Sequence, residues 1–120
     1  GFLGIENIFE GSLVENRFTA RDFSLMVEDF SEKEKEGFLV IRPEVIGISR
    51  FSGSDDRNEL RGFITGMDYS SGIVHFTVEA SPGCSFSITC PDNGEGFSNG
   101  DNVRLSFPFR KLIFIPAEGS

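Results

Sequence analysis

Apolar and polar residues alternate along most of the chain, and this alternation predicts β-strands. The clearest segment runs from Cys84 to Cys90, where apolar residues occupy every second position and Ser or Thr fills the positions between them. The same period of two runs through residues 23–27, 74–78 and 103–107. Groups rich in Gly, Ser, Asn and Pro separate these segments and indicate turns. The pattern predicts an all-β fold of small barrels, with no helix longer than about two turns.

The alternation also predicts which side chains form the core. We expect Phe76, Phe86, Ile88 and Phe107 to point inward and to be buried. The chain has 14 Phe, one Tyr and no Trp. Because Phe fills volume without a polar atom that needs a partner, we expect most of these rings to lie in the core.

Two polar stretches interrupt the strand pattern. Residues 28–37, EDFSEKEKEG, are mostly charged, and we interpret them as a solvated turn between two strands. A polar segment rich in Gly and Ser begins near residue 52 and divides the chain into residues 1–52 and 53–120. We expect two small barrel-like lobes, with roughly three strands before the division and roughly five after it.

One apolar segment stops abruptly. Residues 38–41 have the composition of a strand, but Arg42, Pro43 and Glu44 follow at once, and a new apolar segment begins at Val45. Proline has no N–H group and pushes the preceding residue into an extended conformation. We therefore expect the strand to bend here, with Arg42 and Glu44 on one face and bound to partners across the bend.

Size and charge narrow the possible functions. With 120 residues the chain is long enough for one modest domain. Its net charge of −8 and scattered Lys and Arg argue against a nucleic-acid partner, and it has no apolar run long enough for membrane insertion. Cys84 and Cys90 would lie roughly 20 Å apart along one strand, so we expect free thiols.

The residues needed for catalysis or metal binding do not form a recognisable set. The only histidine, His75, is predicted to point to solvent, and the two cysteines have no histidine companion at zinc spacing. A phosphate-binding glycine loop is also missing from the sequence. We expect no catalytic residue, no metal site and no cofactor in this chain.

The interrupted strand carries a family resemblance. Ile41-Arg42-Pro43-Glu44, followed by apolar residues at 46 and 48 and by Ser49, resembles the signature of the TOBE domain. Residues 2–13 are similar to the connector that precedes this domain, and residues 57–67 and 99–117 are similar to the start and the closing strand of a Mop-type repeat.

The resemblance implies an OB-like or Mop-like barrel that serves as a carboxy-terminal accessory domain of an ABC-importer ATP-binding subunit. The implied partners are the ATPase domain of the same parent chain, a twin subunit in a homodimer and, indirectly, the transmembrane permease. The implied location is the cytoplasm, at the inner face of the cell membrane. This fragment would not be an enzyme, although its parent would be an ATPase.

The resemblance also implies a site for an oxyanion such as molybdate or tungstate. In importers of these anions the Mop repeat begins Ser-Ala-Arg-Asn and binds the anion between subunits, whereas this chain has Asp55 and Asp56 in place of Ser and Ala. The family's later lysine falls at Pro108. Because these changes add negative and remove positive charge, we expect no tight oxyanion binding by the isolated domain. The candidate donors are Ser54, Arg57, Asn58, Ser87 and Lys111.

Two other functions remain open. A free-standing, molbindin-like barrel that binds oxyanions is the main alternative, and an OB-type nucleic-acid binder is disfavoured by the charge. We also expect the domain to self-associate weakly through an edge strand or through residues 110–117, RKLIFIPA, whose apolar positions need cover.

Overall fold

A computed structural model of the chain describes residues 7–50 and 58–117. These residues form eight β-strands: β1 (Asn7–Ala20), β2 (Ser24–Ile41), β3 (Gly47–Ser49), β4 (Glu59–Ser70), β5 (Ile73–Ser81), β6 (Cys84–Pro91), β7 (Asn102–Ser106) and β8 (Ile113–Pro116). Two three-residue 3₁₀-helices span Pro43–Val45 and Phe109–Lys111. The prediction of an all-β fold is confirmed. Within the described ranges, no helix has the length and apolar character needed to cross a membrane.

The strands form two antiparallel sheets that share one core. One sheet has the strand order β1-β2-β8, and the other has the order β3-β7-β4-β5-β6. Buried apolar residues from both sheets pack into a single cluster. The sheets do not follow the order of the chain, since β3 joins strands that come after residue 58 and β8 joins strands that come before residue 42. The division near residue 52 stays a prediction.

The predicted inward faces are confirmed at the centre of the core. Phe76, Phe86, Ile88 and Phe107 are all 3% exposed or less. The Phe86 ring lies 5.2 Å from the Phe107 ring, measured between centroids, and two further phenylalanine rings lie within 5.4 Å of it. Cys90, at the end of β6, is only partly buried, so the inward face loses its cover there.

Not every phenylalanine lies in the core. Large parts of four described rings face solvent, and these belong to Phe30, Phe38, Phe63 and Phe109. Each lies on the outer face of its sheet or in a 3₁₀-helix, where the alternation directs the side chain away from the core. Most of the described phenylalanine rings do lie in the core or pack against it, as expected, and these four are the exceptions.

The prediction of a turn at residues 28–37 is also wrong. Strand β2 runs through this segment without a break, and it pairs with β1 along most of its length. The charged side chains are exposed, as expected. They do not prevent strand formation, because the backbone hydrogen bonds to β1 do not depend on apolar side chains. Register shifts on either side of Glu15, which has a φ of 54°, absorb the extra residues of β2. A solvated strand and a solvated turn have the same charged composition, so the pattern did not distinguish them.

The expected bend at Pro43 is confirmed, although its contacts differ from the prediction. Arg42 is extended, with φ −70° and ψ 137°, and Pro43 is buried at the start of the 3₁₀-helix. The turn closes through a backbone hydrogen bond, in which Val45 N–H donates to the Arg42 carbonyl over 3.1 Å. The exposed side chains of Arg42 and Glu44 form no ion pair or hydrogen bond with any described residue. The bend is held by its backbone and by the buried proline ring.

The two parts of the chain fold in the same way. The start of β1 pairs with the end of β2, with Asn7 opposite Ile41, and β4 pairs with β7 in the same relation, with Glu59 opposite Ser106. We call β2 and β7 the closing strands. Each of them leads into a 3₁₀-helix and then a short strand. We call residues 7–49 repeat A and residues 58–116 repeat B. The short strand of each repeat completes the sheet of the other repeat.

Candidate functional site

Asn58 ties the start of repeat B to two distant strands. It is 6% exposed and lies directly before β4. Its Oδ1 accepts a hydrogen bond from Met26 N–H over 2.7 Å, and its Nδ2 donates to the carbonyls of Met26 at 2.7 Å and Phe107 at 3.0 Å. The amide therefore joins β2 to the end of β7, and both of its N–H hydrogens are in use.

Asn7 makes the equivalent bridge in repeat A. Its Oδ1 accepts from Ser87 N–H over 2.6 Å, and its Nδ2 donates to the carbonyls of Ser87 and Ile41, each at 3.0 Å. Asn7 is also 6% exposed. Since Ile41 and Phe107 both lie at the end of a closing strand, the two bridges confirm that the repeats are structurally equivalent. Each asparagine side chain thus forms hydrogen bonds with the backbone of a residue in a strand of the other sheet.

Asn58 and Lys111 are brought to the same end of repeat B. Asn58 holds Phe107, and the chain continues from Phe107 directly into the 3₁₀-helix that ends at Lys111. Lys111 and its neighbour Arg110 are exposed, and neither forms an ion pair with a described residue. Two cations without a carboxylate partner among the described residues therefore lie at this end of repeat B. We call the region formed by Asn58, Phe107 and Lys111 the Lys111 corner. Ser54 and Arg57, which were predicted to complete the site, lie outside the described residues.

Ser87 belongs to the other bridge. Its backbone N–H and C=O are bound by Asn7, so it lies in the repeat A bridge and not in the Asn58 bridge. The residue that follows Ile41 in this bridge is the exposed cation Arg42. The structure therefore divides the predicted donors between two equivalent corners, one in each repeat.

The hydrogen bonds of Asn58 bear on its predicted role. An oxyanion could accept from Nδ2 only if the bond to Met26 or to Phe107 were broken, because the amide has two hydrogens. The geometry instead makes Asn58 a residue that positions the chain on either side of it. Direct binding of an oxyanion by Asn58 stays a prediction.

The Asn7 bridge in repeat A was not predicted from the sequence, although the spacing of two residue types marks it. Asn7 and Asn58 each start an Asn-x-x-x-Gly segment, which ends at Gly11 and Gly62. A Cβ at Gly11 would collide with Phe18 and Thr19, later in β1, and a Cβ at Gly62 would collide with Val78 and Glu79 in β5. The repeated spacing therefore marks two equivalent strand starts. The residues that the asparagines hold, Met26 and Ser87, share no chemistry, which hides the repeat from a motif search.

The two cysteines are free, as expected. The pKa of the Cys84 thiol is raised, first because burial disfavours the thiolate and second because Asp22 is negatively charged. Burial likewise raises the pKa of Cys90, with Glu95 and Asp92 adding repulsion. His75 is exposed, and its Nδ1 lies 3.1 Å from Thr89 Oγ1 on the neighbouring strand.

Comparison with solved structures finds the same fold in a molybdate-binding protein. The chain matches a structure described as the cytoplasmic molybdate-binding protein ModG with molybdate bound, with a TM-score of 0.77 and 14% sequence identity. The match covers 90% of this chain and 94% of the ModG chain. At this identity the likeness establishes the fold. Comparison with curated proteins gives no match.

The sequence also matches a family model. The TOBE domain model covers residues 39–115, which is more than half of the chain. The matched region begins in the closing strand of repeat A, contains the Arg42 bend and Asn58, and ends in β8. The chain therefore belongs to the TOBE domain family.

Proposed function

We propose that this chain is a non-catalytic, oxyanion-binding regulatory domain, and that its ligand is a tetrahedral anion such as molybdate or tungstate. The observation that carries the proposal is the Asn58 bridge, which anchors the chain that follows residues 51–57 to the corner occupied by Lys111. Membership of the TOBE family and the fold shared with ModG support it.

The charge of the corner is suited to a doubly charged anion. Arg110 and Lys111 contribute two cations that no described carboxylate neutralises. Asp55 and Asp56, which lie outside the described residues, would oppose binding if their carboxylates approach the anion, since a carboxylate about 4 Å from a dianion costs roughly 8 kcal/mol at an effective dielectric of 20. We therefore expect weak binding by a single copy, and tighter binding where a second copy adds donors to the corner.

Calorimetric titration with molybdate tests the proposal. The titration is made at protein concentrations below and above those at which the chain self-associates. We expect saturable binding that is tighter at high protein concentration. Lys111→Gln should weaken it by about 10- to 100-fold, because a charge-assisted hydrogen bond contributes roughly 1.5–3 kcal/mol.

The matched control is Lys33→Gln, which removes an equal charge from an exposed position in the middle of β2. It should leave the molybdate affinity unchanged. Absence of binding at millimolar molybdate at both protein concentrations would overturn the proposal. Equal affinities for Lys111→Gln and the unmodified chain would show that the corner is not the site.

Two settings for this domain remain, and different observations support them. The sequence resemblance supports a domain fused to an ABC-importer ATPase, which would act in the cytoplasm against a twin subunit and beneath a permease. The near-complete coverage of the ModG chain supports a free-standing anion-binding protein.

The reading frame upstream of the codon for Gly1 distinguishes these two settings. A coding segment with an ATP-binding phosphate loop, continuous with this chain, would support the importer subunit. A start codon directly before Gly1 would support the free-standing protein. Both outcomes are compatible with the calorimetric test, so the setting and the binding function are tested separately.

A further inference from the structure

A groove on the outer face of the larger sheet collects arginine side chains. Arg61 in β4 lies directly opposite Arg104 in β7, and Ser49 in β3 lies opposite Arg104 on its other side. Directly opposite residues point to the same face of an antiparallel sheet. Arg50 follows Ser49 and lines the same groove, which has a volume of about 420 Å³.

The charge of this groove is opposite to that of the whole chain. Its lining contains Arg50, Arg61 and Arg104 and one carboxylate, Glu79, while the chain carries a net charge of −8. The cations are scattered in the sequence, and only the pairing of β3, β7 and β4 brings them together. The lining of the groove is therefore more basic than the rest of this acidic protein.

The three arginines are not equally satisfied. Arg104 lies 3.3 Å from Glu59, in a pair of largely buried side chains. Arg50 donates to the carbonyls of Glu95 and Gly96 and lies 3.8 Å from Asp101. These contacts hold the two guanidinium groups in place at the groove, and the carboxylates of Glu59 and Asp101 offset part of their positive charge.

Arg61 differs from both of these arginines. It is exposed and has no ion pair or hydrogen bond with any described residue. Like charges placed directly opposite on a sheet repel each other, and the cross-strand neighbour of Arg61 is Arg104. An anion bound between them would relieve this repulsion.

The equivalent groove in repeat A shows that the fold does not require these arginines. A groove of about 470 Å³ there is lined by Glu10, Gly11 and Ala20, which correspond to Arg61, Gly62 and Ala80 in the repeat B groove. Its charged residues include Glu10, Asp22 and Glu36 and one cation, Arg21. The same backbone thus carries an acidic groove in one repeat and a basic groove in the other. The arginines are a feature of the repeat B groove and not of the architecture.

We propose that the repeat B groove is a binding site for a small phosphoryl-bearing anion, held by the guanidinium groups of Arg61 and Arg50. Guanidinium groups present several N–H donors in a plane that matches phosphate oxygens. The volume admits a small solute, and the acidic surface outside the groove repels an extended nucleic acid. This site is separate from the Lys111 corner, and it does not depend on the function proposed above.

Titration with inorganic pyrophosphate at constant ionic strength tests this site. Inorganic phosphate and sulfate serve as smaller anions, and citrate tests whether carboxylates replace phosphoryl groups. We expect pyrophosphate to bind most tightly, and Arg61→Gln to weaken it about tenfold through loss of a charge-assisted contact. Arg61 is exposed and without partners among the described residues, so this variant should keep the thermal unfolding midpoint of the unmodified chain.

Lys33→Gln is the matched control, because it removes one positive charge from an exposed position of β2 outside the groove. It should leave pyrophosphate affinity unchanged, while Arg61→Gln should leave the molybdate titration unchanged. Absence of binding at millimolar pyrophosphate, or equal binding by Arg61→Gln, overturns the proposal. Salt-sensitive self-association that requires both Arg61 and Glu10, without pyrophosphate binding, would assign the groove to a contact between copies and would also overturn it.

Discussion

At the scale of single residues, two buried asparagines connect the sheets, although the sequence predicted a role for only one of them, Asn58, and that role was in binding. Asn7 and Asn58 each pair with the backbone N–H and C=O of one strand residue and with the C=O of another. Buried backbone groups without partners are costly, and here strands of different sheets meet where a ladder cannot supply them. A short amide side chain has the right donors and acceptor for this task.

Asn58→Ala is expected to be strongly destabilising. It leaves two backbone groups of Met26 and one of Phe107 without their partner, and each unsatisfied group costs about 1–3 kcal/mol. We expect the free energy of unfolding to fall by about 3 kcal/mol or more, measured by urea denaturation. Asn93→Ala, at an exposed loop position, should change it by about 0.5 kcal/mol or less. A similar small change for Asn58→Ala would contradict the structural role.

The raised pKa of the Cys84 thiol predicts that the protein loses stability at alkaline pH. The folded pKa of Cys84 lies above its ordinary value of 9.0, so the folded state holds this proton more tightly than the unfolded state. The contribution to stability is complete below the ordinary pKa and is lost as the pH rises through the raised pKa. Cys84→Ala should therefore show a shallower alkaline decline in the free energy of unfolding. An unchanged slope in urea titrations across this range would count against burial as the cause.

At the scale of elements, strand pairing overrides local composition. The charged half of β2 forms a strand because β1 pairs with it at Ser31, Lys35 and Glu36. Strands β3 and β8 are only three and four residues long, and each exists by pairing with a strand of the other repeat. Glycines matter where strands approach most closely, as at Gly62 in β4, beside β5.

Gly62→Ala tests this close approach. A Cβ at this position would lie 2.5 Å from the Glu79 carbonyl oxygen and 2.8 Å from Val78 Cγ1. We expect a loss of about 1–3 kcal/mol in the free energy of unfolding, as for other overpacked positions. Gly66→Ala, in the same strand, would place its Cβ 3.6 Å from Thr77 and should be neutral or slightly stabilising. Equal effects of the two substitutions in thermal melts would refute the packing argument.

At the scale of the whole molecule, the exchange of short strands leaves one apolar surface uncovered. Ile8, Val40 and Ile113 lie opposite one another across the outer face of the β1-β2-β8 sheet, and Phe38 and Ile115 form the next pair on that face. Four of these five side chains are 39–58% exposed. Such a contiguous patch at a sheet edge favours association. The predicted self-association through residues 110–117 thus has a defined surface in β8.

The double variant Ile113→Lys, Ile115→Lys tests this surface. Both residues point outward, so we expect self-association to be lost while the unfolding transition stays cooperative. Sedimentation velocity over a range of concentrations measures the change. Phe30→Lys adds one positive charge at an exposed ring elsewhere on β2 and should leave association intact. A chain that is strictly monomeric before any substitution would show that the patch is not an interface.

The alternation of apolar and polar residues was sufficient to predict the all-β class and the buried face of β5, β6 and β7. The proline by itself predicted the bend at Pro43. These features depend on periods of two residues and on the missing N–H of proline, which are local properties of the chain. The family resemblance could also be found locally, because Ile41-Arg42-Pro43-Glu44 is a contiguous motif.

Only the tertiary structure decided the rest, because it depends on which strands pair. The exchange of β3 and β8, the equivalence of Asn7 and Asn58, and the separation of Ser87 from Lys111 all arise from contacts between residues far apart in the chain. The arginine groove arises in the same way. Three scattered cations meet there because antiparallel register places Arg61 beside Arg104 and brings the end of β3 alongside.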